Sequence, residues 1–296
     1  MSGIRVRCHW ALLLLGLGSH SALAYDGALH QELTFLAARS LNACIAEQRL
    51  KAQPLTPLQV RYVAKTNRRQ AQRNLFGRIF RWQYYDREGQ RERSWLWLID
   101  TRFHGHFNEL SERLARPRSE AAFFSDLGRI ANYVQDVTSP AHAVPVYTGR
   151  FWRFSLSDRF DGFRVDKDAL AGTLTDLCEA VLPLPDDFQS VLRARADETL
   201  AAVRAPIPGM PAQWSAFWRP SKDPASFGDY GRAGNNFGRA VQFRCADGAR
   251  CVLLEDDPLY RRFALARHRS AVIGTVQAML LAQLDGLPAT GAATGP

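Results

Sequence analysis

The stretch Asn132-Tyr133-Val134-Gln135-Asp136-Val137-Thr138-Ser139-Pro140-Ala141-His142 holds the residues best placed for chemistry. Asn132 and Asp136 are spaced i, i+4, so a helix presents them on one face. Ser139-Pro140 ends that helix, and His142 can fold back over the same face. An acid and an imidazole on either side of a helix end form a metal-site layout, because zinc accepts both donor types. Ser157 and Asp161 repeat the i, i+4 spacing on the next segment expected to be helical. Two such sets on neighbouring helices can converge on metal ions in a bundle core. Beyond residue 24 the histidines are His30, His104, His106, His142 and His268, most of them near acids or helix ends.

The elements that must position these groups read as helices. Residues 28–47 carry an apolar periodicity with Leu29, Leu33, Leu36 and Leu41 inward. Thr56-Pro57 opens a second helix, with Thr as N-cap and Pro in its first turn. This helix runs towards Phe76, with Arg68, Arg69 and Arg73 outward. Aromatics follow from Phe80 to Tyr85, then a turn at Asp86-Arg87-Glu88-Gly89. Residues 93–115 are expected to be helical, and Ser119 starts a helix that ends near Val137. Residues 155–181 and 186–204 should hold two or three more helices, and Pro258 opens a last one to about Leu284. Residues 205–257 are rich in Gly, Pro and Trp and read as irregular, apart from a hairpin at 241–254. The expected architecture is all-α: one multi-helix domain over residues 25–285, with a small C-terminal hairpin insertion and a disordered tail at 286–296.

Composition sets the compartment and the partners. With 296 residues and 46% hydrophobic content, the chain can bury a sizeable core. Residues 1–24 read as a secretory signal: Arg5 and Arg7, an apolar run from Trp10 to Gly18, then Ala22-Leu23-Ala24. That run is too short to span a bilayer, and the mature chain should have no transmembrane segment. Periplasmic or secreted location follows, after cleavage behind Ala24. Cys44, Cys178, Cys245 and Cys251 would remain, enough for two disulfides in an oxidising compartment. Cys245 and Cys251 flank the turn Ala246-Asp247-Gly248, which leaves Cys44 with Cys178. Losing Arg5 and Arg7 takes the formal charge from +9 to +7, by 9 − 2. That excess favours anionic partners: phosphates, nucleic acid or an acidic lipid surface.

With these residues in place, the chain resembles the superfamily of zinc-dependent phospholipases C and fungal-type single-strand nucleases. The shared pattern, His-Tyr-x-x-Asp-x-x-x-Pro-x-His, is met here by Asn132-Tyr133, Asp136, Pro140 and His142. An upstream His-Phe pair is matched by His106-Phe107. Cleavage after Ala24 would make Tyr25 the first residue and His30 the sixth, as in the nuclease branch. A His-x-x-x-Glu element aligns with Ser157 to Asp161. The resemblance covers residues 25 to about 161 and leaves 205–257 unmatched.

The resemblance implies a cluster of metals. One would take the amine and carbonyl of Tyr25, the ring of His30, and Asp136. A second would share Asp136 and use His106, an upstream acid and position 132. Asp86 is the preferred acid, with Glu88, Glu92 and Asp100 as alternatives. The third would take His142, position 157 and Asp161. Asn132 and Ser157 stand where the pattern has histidine, so one or two zinc ions are expected rather than three. His104 either stands in for a missing imidazole or faces elsewhere. Zinc lowers the pKa of water to about 7, which supplies a nucleophile at neutral pH. Asp86 would orient or deprotonate that water as the catalytic residue. Trp82, Tyr85 or Phe151 could stack a base or line a headgroup cleft. The expected activity is exported, metal-dependent phosphoric ester hydrolysis by a monomer. Its substrate would be a phospholipid headgroup or another phosphodiester, with nucleic acid as a further anionic partner. The alternative is a catalytically impaired homologue that binds phosphate-bearing ligands.

Overall fold

Long apolar faces and well-formed caps account for the helices that frame the structure. The computed structural model describes residues 27–72, 84–85, 94–95, 99–100, 104–116, 119–146, 158–224 and 226–284. Helix α1 spans Gly27–Ala46 and buries Leu29, Leu33 and Leu41. Helix α2 spans Pro57–Ala71. Thr56 accepts the Gln59 amide while the Gln59 side chain accepts the Thr56 amide, a reciprocal capping box. A short antiparallel pair follows, β1 (Ser94–Trp95) with β2 (Ile99–Asp100). Helix α3 is His104–Leu114, and α4 is Glu120–Asp136 with Ser119 as N-cap. Helix α5 is the single turn Pro140–Ala143. Helices α6 (Lys167–Gly172), α7 (Leu177–Ala180) and α8 (Phe188–Arg204) precede the last, α9 (Pro258–Leu284).

Four of these helices close a ring: α1 on α2, α2 on α4, α4 on α9, and α9 back on α1. Helix α9 is the inner member, buried without a break from Ser270 to Ala282. Helices α2 and α4 meet at Gly128, where a Cβ would lie 2.4 Å from the Val63 carbonyl oxygen. Any side chain there would push the two helices apart. Helix α3 packs on α4, and α8 on α9.

Residues 205–257 are more ordered than their composition suggests. They form strands β3 (Trp218–Arg219) and β4 (Asp229–Tyr230), then the hairpin β5 (Val241–Arg244) with β6 (Arg250–Leu253). The expected hairpin is therefore present, turned at Gly248 with φ +86°. Trp214, Phe217, Trp218 and Phe237 pack with Tyr260 and Phe263 of α9 into an aromatic core. A parallel bridge, Val146 with Gly228, ties this region to the segment after α5.

Two expectations need correction. The helix expected over 93–115 begins only at His104, and the β1–β2 pair occupies its first part. Trp95 and Ile99 face each other in that pair, and such side chains favour strands. The i, i+4 placement of positions 157 and 161 on one helix also fails, because Asp161 sits in a 3-10 turn, Phe160–Gly162. The Asp158 carboxylate accepts the Phe160 amide, a local turn bond that competes with helix.

Both cysteine pairs lie at bonding distance, Cys44 with Cys178 and Cys245 with Cys251, each with Cα atoms 5.6 Å apart. The first ties α1 to α7, and the second clips the β5–β6 hairpin. Among the described residues, no helix is long and apolar enough to cross a membrane.

Candidate functional site

His30 lies at the centre of the four-helix ring, fully buried. Each of the four helices sends it polar support, direct or indirect. Its Nδ1 is 2.7 Å from Gln135 Oε1 of α4. Gln135 Nε2 donates to Thr34 Oγ1 of α1 and to Thr275 Oγ1 of α9. Those hydroxyls spend their own protons on the carbonyls of His30 and Ala271. Each must therefore accept from Gln135, which turns the Gln135 oxygen towards the ring. Asn67 of α2 donates to both Thr34 Oγ1 and Gln135 Oε1, and accepts from Asn132 Nδ2 at 3.0 Å. The donor directions are thus set around the whole network. His30 donates through Nδ1, which leaves Nε2 as the ring nitrogen outside this network's Gln135 bond.

That nitrogen is on the side of Asp136. His30 Nε2 is 3.2 Å from Asp136 Oδ1. Oδ1 is buried and accepts no hydrogen bond among the described residues. A proton on Nε2 would pair the two as ions, and a shared cation would hold both as ligands. Two donors of one tetrahedral zinc are separated by about 3.4 Å, from metal–ligand bonds near 2.1 Å. His30 and Asp136 fit that requirement, and the Nδ1–H bond to Gln135 is the outer support that ligating histidines commonly have.

A second histidine–carboxylate pair stands on the other side of Ser139. His142 Nε2 of α5 is 3.6 Å from Asp161 Oδ2. Ser139 caps no amide with its side chain, and its hydroxyl donates to Asp161 Oδ1 at 2.5 Å. Its backbone N–H bonds to the Asp136 carbonyl, which links the two pairs. Ser139-Pro140 therefore ends α4 and also carries the connection between Asp136 and Asp161.

The remaining candidates divide by location. Tyr25, Asp86, Glu88, Glu92 and Ser157 lie outside the described residues, as do Trp82 and Phe151. Asp100 is in β2. His106 Nδ1 is 2.8 Å from the Tyr133 hydroxyl, which also accepts from Gln70 Nε2. His104 turns a different way and lies against the ring of Tyr85, centroids 5.1 Å apart. Asn132 Nδ2 is 3.4 and 3.3 Å from the two ring nitrogens of His30, so it lies over the ring face. That amide nitrogen is engaged with Asn67 and His30. Among the described residues, no three His, Cys, Asp or Glu side chains converge on one point. Each pair supplies two donors, and other donors that the resemblance calls for fall on Tyr25, Asp86 and Ser157.

Sequence reasoning missed the braces Thr34, Asn67, Gln135 and Thr275. The available signal was polar residues at core positions of helices, above all Thr275 within the apolar run of α9. It also missed Asp158, buried three residues before Asp161. Asp158 accepts from Trp218 Nε1, the Tyr230 hydroxyl and the Phe160 amide. Burial, then the charge of Asp161, push its carboxyl up to about 6. The Tyr230 hydroxyl is pushed up by its own burial and by Asp158. Residues 205–257, unplaced by sequence, thus supply two of the three donors that hold this acid.

His268 of α9 lies against Phe160 and is pushed down to about 3 by burial. The unfolded chain, with the ordinary value of 6.5, binds the proton more tightly. This residue's contribution to stability is therefore full above pH 6.5 and falls as pH drops towards 3. Asp158 runs the other way, because its folded value exceeds the ordinary 3.8. Comparing His268→Leu with the parent isolates the histidine. Urea unfolding from pH 7 to pH 4 should show the parent losing about 3 kcal/mol more than the variant. Parallel pH profiles would refute this account of His268.

Comparison of the chain with protein-family models, curated proteins and solved structures found no match.

Proposed function

We propose that the chain is an exported, metal-dependent phosphoric ester hydrolase. One observation carries the reading: an oriented network directs Nε2 of His30 to within 3.2 Å of the buried Asp136 oxygen. His30 and Asp136 would hold zinc at one point, and His142 with Asp161 at another. Zinc, when bound, supplies Lewis acidity towards a phosphoryl oxygen and acidifies water. The chain's own residues fix the geometry. Gln135 orients His30, and Ser139 spaces Asp161 from Asp136. Asp158, charged at neutral pH, adds negative potential beside Asp161. Tyr25 and Asp86 keep the roles that the resemblance gives them, the first requiring cleavage after Ala24.

The test uses exported protein with its N-terminus verified by mass. Elemental analysis should find one or two zinc ions per chain. Such protein should hydrolyse a chromogenic phosphodiester, phosphatidylcholine vesicles or single-stranded DNA above a His142→Ala control. Folded protein that takes up no zinc on titration sinks the reading. A second reading, a non-hydrolytic binder of phosphate-bearing ligands, is favoured by Asn132, whose amide nitrogen is held inward by Asn67. Zinc uptake without turnover on any substrate would select it.

A further inference from the structure

A cavity of about 920 Å³ opens between residues 158–166 and the first turns of α9. The segment 161–165 separates it from a smaller one of about 290 Å³ beside the start of α1. Asp161 borders both, so the larger cavity reaches the His142–Asp161 pair. Four arginines line it. Arg239 is paired with Glu255. Arg159, Arg164 and Arg261 are exposed, and their guanidinium groups form no ion pair among the described residues.

The lining carboxylates are mostly engaged elsewhere. Asp158 takes three donors, Asp161 takes Ser139, and Asp166 caps α6 through the Ala169 amide. Asp256 is left; the lining as a whole carries four arginines and five carboxylates, and the three arginines outside any ion pair among the described residues are the groups available to an anion. The apolar part of the wall is built on purpose-shaped backbone. Gly238 has φ +80°, and a Cβ there would be 2.9 Å from the Phe163 ring. The missing side chain lets Phe163 lie edge-on to Phe237, centroids 5.1 Å apart.

We propose that this cavity binds an organic phosphate ester, its anion on Arg159, Arg164 and Arg261 and its apolar substituent on Phe163. Guanidinium forks match phosphate oxygens in pairs, and an aromatic ring accepts a flat or aliphatic group without further polar demands. The proposal rests on the phosphate-ester reading above and gives it a ligand-holding surface beside the metal donor Asp161.

The experiment uses the full exported chain with excess chelator, so that no metal contributes. Calorimetry would compare phenyl phosphate, glycerol 3-phosphate and inorganic phosphate. Phenyl phosphate should bind saturably and more tightly than inorganic phosphate. Arg159→Gln with Arg164→Gln and Arg261→Gln should weaken it by about tenfold or more. Phe163→Ala should reduce phenyl phosphate to the level of inorganic phosphate. Glycerol 3-phosphate, whose substituent is polar, should bind no more tightly than inorganic phosphate, and its binding as tightly as phenyl phosphate would overturn the role given to Phe163. No saturable binding of either ester, or equal binding by the triple arginine variant, overturns the proposal. These arginines are exposed, so unchanged thermal unfolding checks that the variant folds. Because metal is absent, failure here leaves zinc uptake and hydrolysis standing, while success here survives their failure.

Discussion

Gln135→Leu is expected to lower the unfolding free energy by about 2–5 kcal/mol and to abolish zinc uptake at His30 and Asp136. Leucine is comparable in bulk, one atom shorter, and offers no polar atoms. His30 Nδ1–H and one Asn67 amide proton would lose their shared acceptor in a buried site. Each orphaned donor costs about 1–3 kcal/mol. Thr34 and Thr275 would also lose their common donor. With Gln135 gone, the Nδ1 bond that sets which His30 nitrogen faces Asp136 is lost, so a metal there would have a less firmly oriented ligand. Urea unfolding gives the first quantity and zinc titration the second. Unchanged zinc affinity in a destabilised variant would make Gln135 a purely structural brace. An unchanged unfolding midpoint would contradict the network itself.

Replacing Cys44 and Cys178 together by alanine should cost about 5 kcal/mol, against about 2 for Cys245 with Cys251. The difference comes from the loops closed. The first pair is separated by 134 residues and the second by 6. A longer loop removes more freedom from the unfolded chain. The first link also fastens α7, a helix of four residues that cannot hold itself, to α1. Denaturant titration of the two double variants under oxidising conditions measures both. Equal losses, or a larger loss for the hairpin pair, would show that the unfolded-chain argument does not govern this protein.

The ring of helices was largely readable because its signals are local. Thr56-Pro57, Ser119 and the apolar runs of α1 and α9 each lie within one or two turns of sequence. The cysteine pairing was readable because six residues and a turn leave little choice for Cys245 and Cys251. The support of His30 was not readable. Thr34, Asn67, Gln135 and Thr275 come from four helices, and periodicity treats each as a lapse in an apolar face. Their meaning appears only when the helices meet. Position 161 failed for a different reason. The spacing from 157 is helical, but the Asp158 side chain offers the Phe160 amide a closer partner than the helix would. The β1–β2 pair was lost because Trp95 and Ile99 also fit an amphipathic helix when their pairing is ignored.

The reach of the network has a consequence for how the protein is made. Gln135 bonds to His30 across 105 residues and to Thr275 across 140. During synthesis α1, α2 and α4 emerge while the last helix is still inside the ribosome. Such a nascent chain lacks Thr275, one of the two hydroxyls that hold Gln135. That brace is added only when α9 docks, one of the slow, long-range steps of folding. On the proposed metal reading, a chain exported unfolded would complete the bracing of its His30 ligand on the far side of the membrane, where that compartment supplies the metal.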